Sequence, residues 1–289
     1  MAFRNLIIKE RCKLEYSLNY LVCKKGTIET KVLLDEIRLI VILTTQASIT
    51  TSLIVMLSQK KIKIIFCNEL CNPECELISY SNNFYSYRKI KEQLEFIKNN
   101  EYVWKRIVQE KIYNQARNLQ FLGLNDSYNH LIEFQKNVEN NDITNREGHS
   151  AKVYFNSLFG NGFSRSDDNV INKYLNYGYA IILSCINREI KSLGYLTELG
   201  IHHIGESNSF NFSCDLIEPL RPLIDSLIIK KVVNEENYKV KFIELLTTYV
   251  SYNNQAIILD NAIHLYIINI INYLKTSEEE NLKFIEYEL

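Results

Sequence analysis

Glycine and proline are scarce, 9 and 3 in 289 residues, against a usual roughly 7% and 5%. That excludes collagenous, low-complexity and proline-rich classes. An excess of one charge is missing too: Lys and Arg number 33 against 34 Asp and Glu, a formal net charge of -1, so indiscriminate coating of a polyanion is excluded. No uninterrupted apolar run reaches the roughly 18 residues of a membrane span. The nearest approach, 256–274, is broken by Asp260, Asn261, His264, Asn269 and Asn272. Met1-Ala2-Phe3-Arg4-Asn5 lacks the apolar core and cleavage site of a secretory signal. A soluble, cytoplasmic protein without a membrane partner is therefore expected. Seven cysteines, an odd number, fit reduced thiols better than a disulfide framework. No glycine-rich phosphate loop, dinucleotide fingerprint or serine-nucleophile elbow occurs, which leaves nucleotide-driven and serine-hydrolase chemistry without a motif.

What is present divides the chain in two. Residues 5–9, 13–16, 20–23, 27–34 and 38–43 are short and rich in β-branched and aromatic residues, and so read as strands. A helix is expected over 48–60 and a further strand over 63–66. After the polar stretch 79–83 the apolar period lengthens to about 3.6 residues. Ile90, Leu94 and Ile97 open one stripe; Val103, Ile107, Ile112, Leu119 and Leu122 continue it on a second helix. Further helices are expected over 127–138, 146–158, 167–193, 216–229, 236–252 and 255–275. The expectation is an α+β chain: an N-terminal β-domain with one embedded helix over 1–80, then an all-helical catalytic domain over 81–289. Charge follows the division unevenly. Residues 85–120 carry 8 basic and 4 acidic side chains, and 141–225 carry 7 and 10.

The acidic stretch holds the candidate chemistry. Thr144-Asn145-Arg146-Glu147 and Asp215-Leu216-Ile217-Glu218 both have the spacing of a helix N-terminal capping box, with Pro219 and Pro222 stiffening the chain just after the second. Between them lies His202-His203, which read alone is an ordinary packed or solvated pair. Three carboxylates (Glu147, Asp215, Glu218) and a histidine on separate elements also form a hard donor set suited to Mg²⁺ or Mn²⁺. Cys67-x3-Cys71-x3-Cys75 departs from zinc spacing and has no further ligand pair, so it reads as reduced cysteines near a turn. Lys105, Arg106, Lys111 and Arg117, with Tyr113, place cations and an aromatic on one helix. That composition suits DNA backbone contact and base stacking, or simply a solvated helix face.

Several segments in order carry a resemblance: 147–155 (Glu-Gly-His-Ser-Ala-Lys-Val-Tyr-Phe), 167–172, 175–179 (Leu-Asn-Tyr-Gly-Tyr), 199–203 (Leu-Gly-Ile-His-His) and 213–222 (Ser-Cys-Asp-Leu-Ile-Glu-Pro-Leu-Arg-Pro). They resemble the CRISPR-associated integrase that inserts new spacers, the "Cas one" family, most closely its type II branch. Residues 4–66 resemble that family's N-terminal β-domain, which serves dimerisation and partner contacts. The resemblance implies an Mg²⁺- or Mn²⁺-dependent DNA endonuclease and integrase. It inserts prespacer DNA into a CRISPR array by 3′-hydroxyl attack on a repeat phosphodiester. Glu147, His203 and Glu218 match the metal ligands, His203 rather than His202 because the ligand stands third after the glycine, here Gly200. Asp215 matches an accessory acidic position and Arg221 a basic position that touches DNA phosphate. The implied partners are prespacer and leader-repeat DNA, a second copy of the chain, and a dimer of the small "Cas two" protein bridging two such dimers. Type II systems add an effector nuclease and an accessory DNA-end binder. Two other readings, an idle DNA scaffold and a general repair nuclease, compete with this one.

Overall fold

The computed structural model describes residues 4–69, 73–77, 79, 87–99 and 101–287. The chain divides into two compact units, residues 1–84 and 85–289. Among the described residues, the first holds two four-stranded sheets and a helix. Its strands are β1 (Arg4–Ile8), β2 (Lys13–Ser17), β3 (Tyr20–Lys25), β4 (Ile28–Leu33), β5 (Ile37–Ile42), β6 (Ser48–Ile49), β7 (Lys63–Cys67) and β8 (Pro73–Glu76), with α1 (Thr51–Gln59) between β6 and β7. β5, Ile-Arg-Leu-Ile-Val-Ile, is the near-continuous apolar run of a strand covered on both faces. It lies between parallel neighbours β1 and β7, with Ile40 opposite both Leu6 and Ile64, and β8 closes that sheet antiparallel to β7. Parallel pairs need crossovers: the β2-β3-β4 meander supplies the one from β1 to β5, and α1 supplies the one from β5 to β7.

The meander shows the alternation of a half-buried strand. Leu14 on β2 is buried, while Glu15 pairs on the other face with Lys13 and with Lys24 of β3. Leu53 and Leu57 of α1 join Leu14, Leu21, Ile40 and Ile64 in one core. The expected β-domain with one embedded helix is what forms. Ser48 and Ile49, expected in the helix, instead pair with Lys13 and Leu14 as β6, and Thr50 caps α1 by accepting from the Leu53 amide at 3.4 Å. Cys67 ends β7 buried and Cys75 lies exposed on β8. Cys71 and residues 80–83 lie outside the described residues.

The second unit is built on α2 (Tyr87–Phe96), α3 (Glu101–Phe121), α4 (Asn125–Lys136), α5 (Arg146–Phe159), α6 (Val170–Ser192), α7 (Asn211–Ile217), α8 (Arg221–Ile229), α9 (Tyr238–Leu245) and α10 (Leu259–Thr276). α3 packs against α4, α5 and α8 and buries Lys111, Asn114, Gln115 and Asn118 among its apolar residues. These polar groups tie the elements together. Asn114 donates to the Pro219 carbonyl at 3.1 Å and Asn118 to the Pro222 carbonyl at 2.8 Å, while the Ser150 hydroxyl of α5 donates to Gln115 at 3.2 Å. Buried amides satisfied in this way fix one relative placement of three helices.

Two expectations need correction. Residues 216–229 do not form one helix: Pro219 and Pro222 lack amide hydrogens, so a 3-10 turn at Glu218–Leu220 separates α7 from α8. The unit is also not all-helical. Residues 249–258, read as parts of two helices, form a hairpin of β9 (Tyr249–Tyr252) and β10 (Gln255–Ile258). Asn253 and Asn254, at φ 54° and 60°, supply the left-handed two-residue turn that hairpin twist requires and asparagine tolerates. Among the described residues, no helix is long and apolar enough to cross a membrane.

Candidate active site

Glu147 stands in the first turn of α5. Its backbone is positioned by Asp142, which accepts from the Arg146 amide at 2.8 Å and the Glu147 amide at 2.9 Å. Asn145, left-handed at φ 51°, accepts from the Gly148 amide at 3.2 Å. The helix is therefore capped by Asp142 and Asn145, not by Thr144, and the expected capping box does not form. Glu147 is free to turn inward, where its carboxylate pairs with the Lys111 ammonium.

His202 and His203 lie in a loop wrapped around Asp215, which is fully buried on α7. One Asp215 oxygen accepts from the Ile201 amide at 2.6 Å and the His202 amide at 3.1 Å. The other accepts from the His203 amide at 3.0 Å and meets the His203 ring Nδ1 at 2.6 Å. Asp215 thus caps no helix; it organises a loop. Gly200 is required at this approach, because a Cβ there would collide with the His203 carbonyl and stand 2.8 Å from Asp215 Oδ2. With Nδ1 held by Asp215, the free nitrogen of His203 is Nε2. The hydrogen bond to Asp215 raises the His203 pKa above its ordinary value, against the effect of burial. His202 is placed differently: its ring stacks on Trp104 with centroids 4.1 Å apart, Nδ1 lies 3.2 Å from Asn141 Oδ1, and burial lowers its pKa.

Glu218 occupies the 3-10 turn, buried, with the Lys111 ammonium on Oε2 and Arg221 Nε at 2.8 Å from Oε1. Burial alone would raise its pKa, yet Arg221 and Lys111 hold it down at about 2. Burial alone would lower that of Lys111; Glu218 and Glu147 outweigh it and hold the ammonium above its ordinary value. Arg221 also lies over the Tyr179 ring at 4.7 Å, with Arg165 at 5.4 Å from the same ring. The Tyr179 hydroxyl donates to Asp225 at 2.6 Å, and burial pushes that carboxyl up to about 6.

Among the described residues, no three His, Cys, Asp or Glu side chains are already gathered as metal ligands around one point. The chemistry of the donor set nevertheless fits a divalent ion. Two carboxylates from separate elements converge on one cation, the Lys111 ammonium. Within electrostatic reach of Glu218 is a histidine, His203, whose Nδ1 is anchored on the buried Asp215 carboxylate, the arrangement that orients an imidazole ligand.

The family model described as CRISPR associated protein Cas1 matches residues 6–257, most of the chain. The chain belongs to the Cas1 family. A CRISPR-associated endonuclease Cas1 of Neisseria meningitidis serogroup C is 32% identical over 230 residues, 79% of this chain and 76% of the relative. Among solved structures, a casposase bound to integration product superposes with a TM-score of 0.77 at 20% identity, over 99% of this chain and 94% of that one. A Cas6-RT-Cas1–Cas2 complex superposes at 0.76 and 16% identity, over 99% of this chain and 36% of that longer one. Two sheets followed by a mostly helical unit are thus the Cas1 fold.

In this Cas1 chain the basic residues of α3 do not share one face. Lys111 is buried between Glu147 and Glu218, and Arg117 donates to the Tyr287 carbonyl at 2.8 Å. Arg221 is held on Glu218. Lys105 lines an open cleft with Glu101, Lys136, Glu139, Asn141 and Arg146, the last next to Glu147; Arg106 is partly exposed on the same helix. Sequence reading assigned no site role to Asp142, Trp104 or Arg165, and Tyr179 entered only within the motif 175–179. Only Trp104, the single tryptophan, stood out by type; the rest acquire meaning from contacts across the fold.

Proposed function

We propose that this Cas1 chain is a divalent-metal-dependent DNA integrase and endonuclease that inserts prespacer DNA into a CRISPR array. The observation that carries the reading is the convergence of Glu147 and Glu218 on one cation, with the Asp215-anchored His203 in electrostatic reach of Glu218. Membership of the Cas1 family, a relative named as an endonuclease and a structural neighbour bound to an integration product support it. Glu147, His203 Nε2 and Glu218 would hold Mg²⁺ or Mn²⁺, hard oxygen donors with one imidazole suiting either ion. The chemistry such an ion supplies when bound is Lewis-acid polarisation of a phosphodiester and stabilisation of the departing oxygen.

The chain's own residues do the rest. Asp215 holds the His203 ring through Nδ1 and leaves Nε2 for a ligand, and Arg221 holds Glu218 in place and adds positive charge beside the phosphate. The nucleophile is the 3′-hydroxyl of the prespacer, so no covalent protein intermediate is required; Tyr179, whose hydroxyl is committed to Asp225, is not used as one. With water in place of that hydroxyl the same site cleaves DNA. The partners follow the same reading: prespacer and leader-repeat DNA, a second copy of the chain joined through the N-terminal unit, and a Cas2 dimer. The type II assignment adds the effector nuclease and the accessory DNA-end binder.

The test is strand transfer of a short duplex into a supercoiled, repeat-bearing plasmid. Glu147→Ala or His203→Ala that integrates as well as the parent removes the site from the reading. A scaffold without catalysis would show no Glu218-dependent Mn²⁺ binding by calorimetry. A repair nuclease would prefer branched DNA or RNA to integration.

A further inference from the structure

We propose that the Lys111 ammonium is the resting counter-ion of the metal site. It occupies the point on which Glu147 and Glu218 converge, and it is displaced when a divalent ion binds there. This rests on the metal reading above and adds a competitor inside the protein.

The geometry is specific. The Lys111 side chain is 7% exposed and pairs with both carboxylates at once. Two carboxylates facing each other without a cation repel and lose solvation; with Lys111 between them they stay convergent. Lys111 is borne on a helix tied on two sides: Asn114 and Asn118 bond α3 to the Pro219 and Pro222 carbonyls that follow Glu218, and Gln115 accepts from Ser150 of α5. The part free to move is the lysine's own flexible four-carbon stem. Glu218 is gripped from its other oxygen by Arg221 at 2.8 Å, so it keeps its place when the ammonium leaves. An ammonium and a divalent ion on the same two carboxylates repel, hence each excludes the other. Lys111 therefore sets how much metal the site needs, and it preserves the site's shape without it. A purely structural bridge would behave oppositely: its loss would spread the carboxylates and weaken metal binding.

Calorimetry with Mn²⁺ and thermal unfolding with and without Mn²⁺ decide between the two. Lys111→Met is expected to unfold at lower temperature in chelator, to bind Mn²⁺ on the order of tenfold more tightly, and to gain more thermal stability from Mn²⁺ than the parent. Unchanged or weaker Mn²⁺ affinity overturns the proposal. Lys111→Arg, which keeps the charge, is expected not to show the tighter binding; if it does, the proposal fails. A measurement on the parent protein makes folding of the variants immaterial. Mass-spectrometric mapping of reductive methylation should find Lys111 protected in chelator and reactive at saturating Mn²⁺; protection in both conditions overturns the proposal. Absence of any Glu218-dependent Mn²⁺ binding by the parent would instead overturn the metal reading itself.

Discussion

Among its described residues, the helical unit contains two histidine–carboxylate pairs of nearly the same geometry. His203 Nδ1 lies 2.6 Å from Asp215 and His264 Nδ1 lies 2.7 Å from Glu189, and each ring is about half-exposed on a well-buried acid. What differs is the rest of the carboxylate's surroundings. Asp215 accepts three backbone amides of the 201–203 loop, so its charge orders a loop and anchors an imidazole within electrostatic reach of Glu218. Glu189 meets Arg188 at 2.6 Å, and Arg188 reaches Asp260 on α10 at 2.5 Å, so its charge is neutralised by a guanidinium and joins α6 to α10. An anchored histidine thus becomes a candidate ligand or a structural tie according to what its carboxylate's other contacts are.

The largest expected effect separates the pairs by activity. His203→Ala should reduce strand transfer by on the order of a hundredfold or more, whereas His264→Ala should leave most of it; equal losses in a plasmid integration assay would dissolve the distinction. Next come the acids. Glu189→Gln breaks a buried ion-pair network and should cost about 3 kcal/mol of stability with Mn²⁺ affinity unchanged. Asp215→Asn should cost about 2 kcal/mol and also weaken Mn²⁺ binding by roughly tenfold or more. Thermal unfolding paired with calorimetry reads both. Gly200→Ala, which drives a Cβ into the His203 carbonyl and toward Asp215, should cost about 2 kcal/mol and weaken Mn²⁺ binding in parallel; loss of stability alone would separate the loop from the site.

The smallest effect is one of pH. The hydrogen bond to Glu189 raises the His264 pKa above 6.5, so its stabilisation is fully present below 6.5 and is lost as pH rises through the higher folded value. Burial alone would raise the Glu189 pKa, but His264 and Arg188 hold it down at about 2, so Glu189 stays ionised throughout that range. His264→Ala should therefore lower the unfolding midpoint more near about pH 6 than near about pH 9. The same loss at both would remove the charged histidine from the network.

Local pattern carried most of the fold. β-branched runs announced the strands of the first unit, and the 3.6-residue stripe announced α3, because period and residue type are properties of neighbours in the chain. The hairpin at 249–258 had its signal in Asn253-Asn254, passed over because the flanking apolar residues also suit a helix. Motifs in order, Glu147, Leu199 to His203 and Asp215 to Pro222, were legible as a resemblance. The partners of those residues were not: Asp142 caps α5 in place of Thr144 through contacts that no spacing rule anticipates.

Lys111 marks where linear reading stops. Its neighbours, Lys105, Arg106 and Arg117, are basic residues of the same helix, and nothing in their order distinguishes a lysine facing solvent from one buried between two acids. That choice belongs to packing. α3 is enclosed by α4, α5 and α8, and burial removes the water that would otherwise screen the ammonium, leaving Glu147 and Glu218, 36 and 107 residues away in sequence, as its partners. Composition and period decide which segments become helices and strands because those preferences act between near neighbours. The charge balance of the site was decided by the tertiary structure, because Coulomb interactions gain strength only where distant segments are brought together and desolvated.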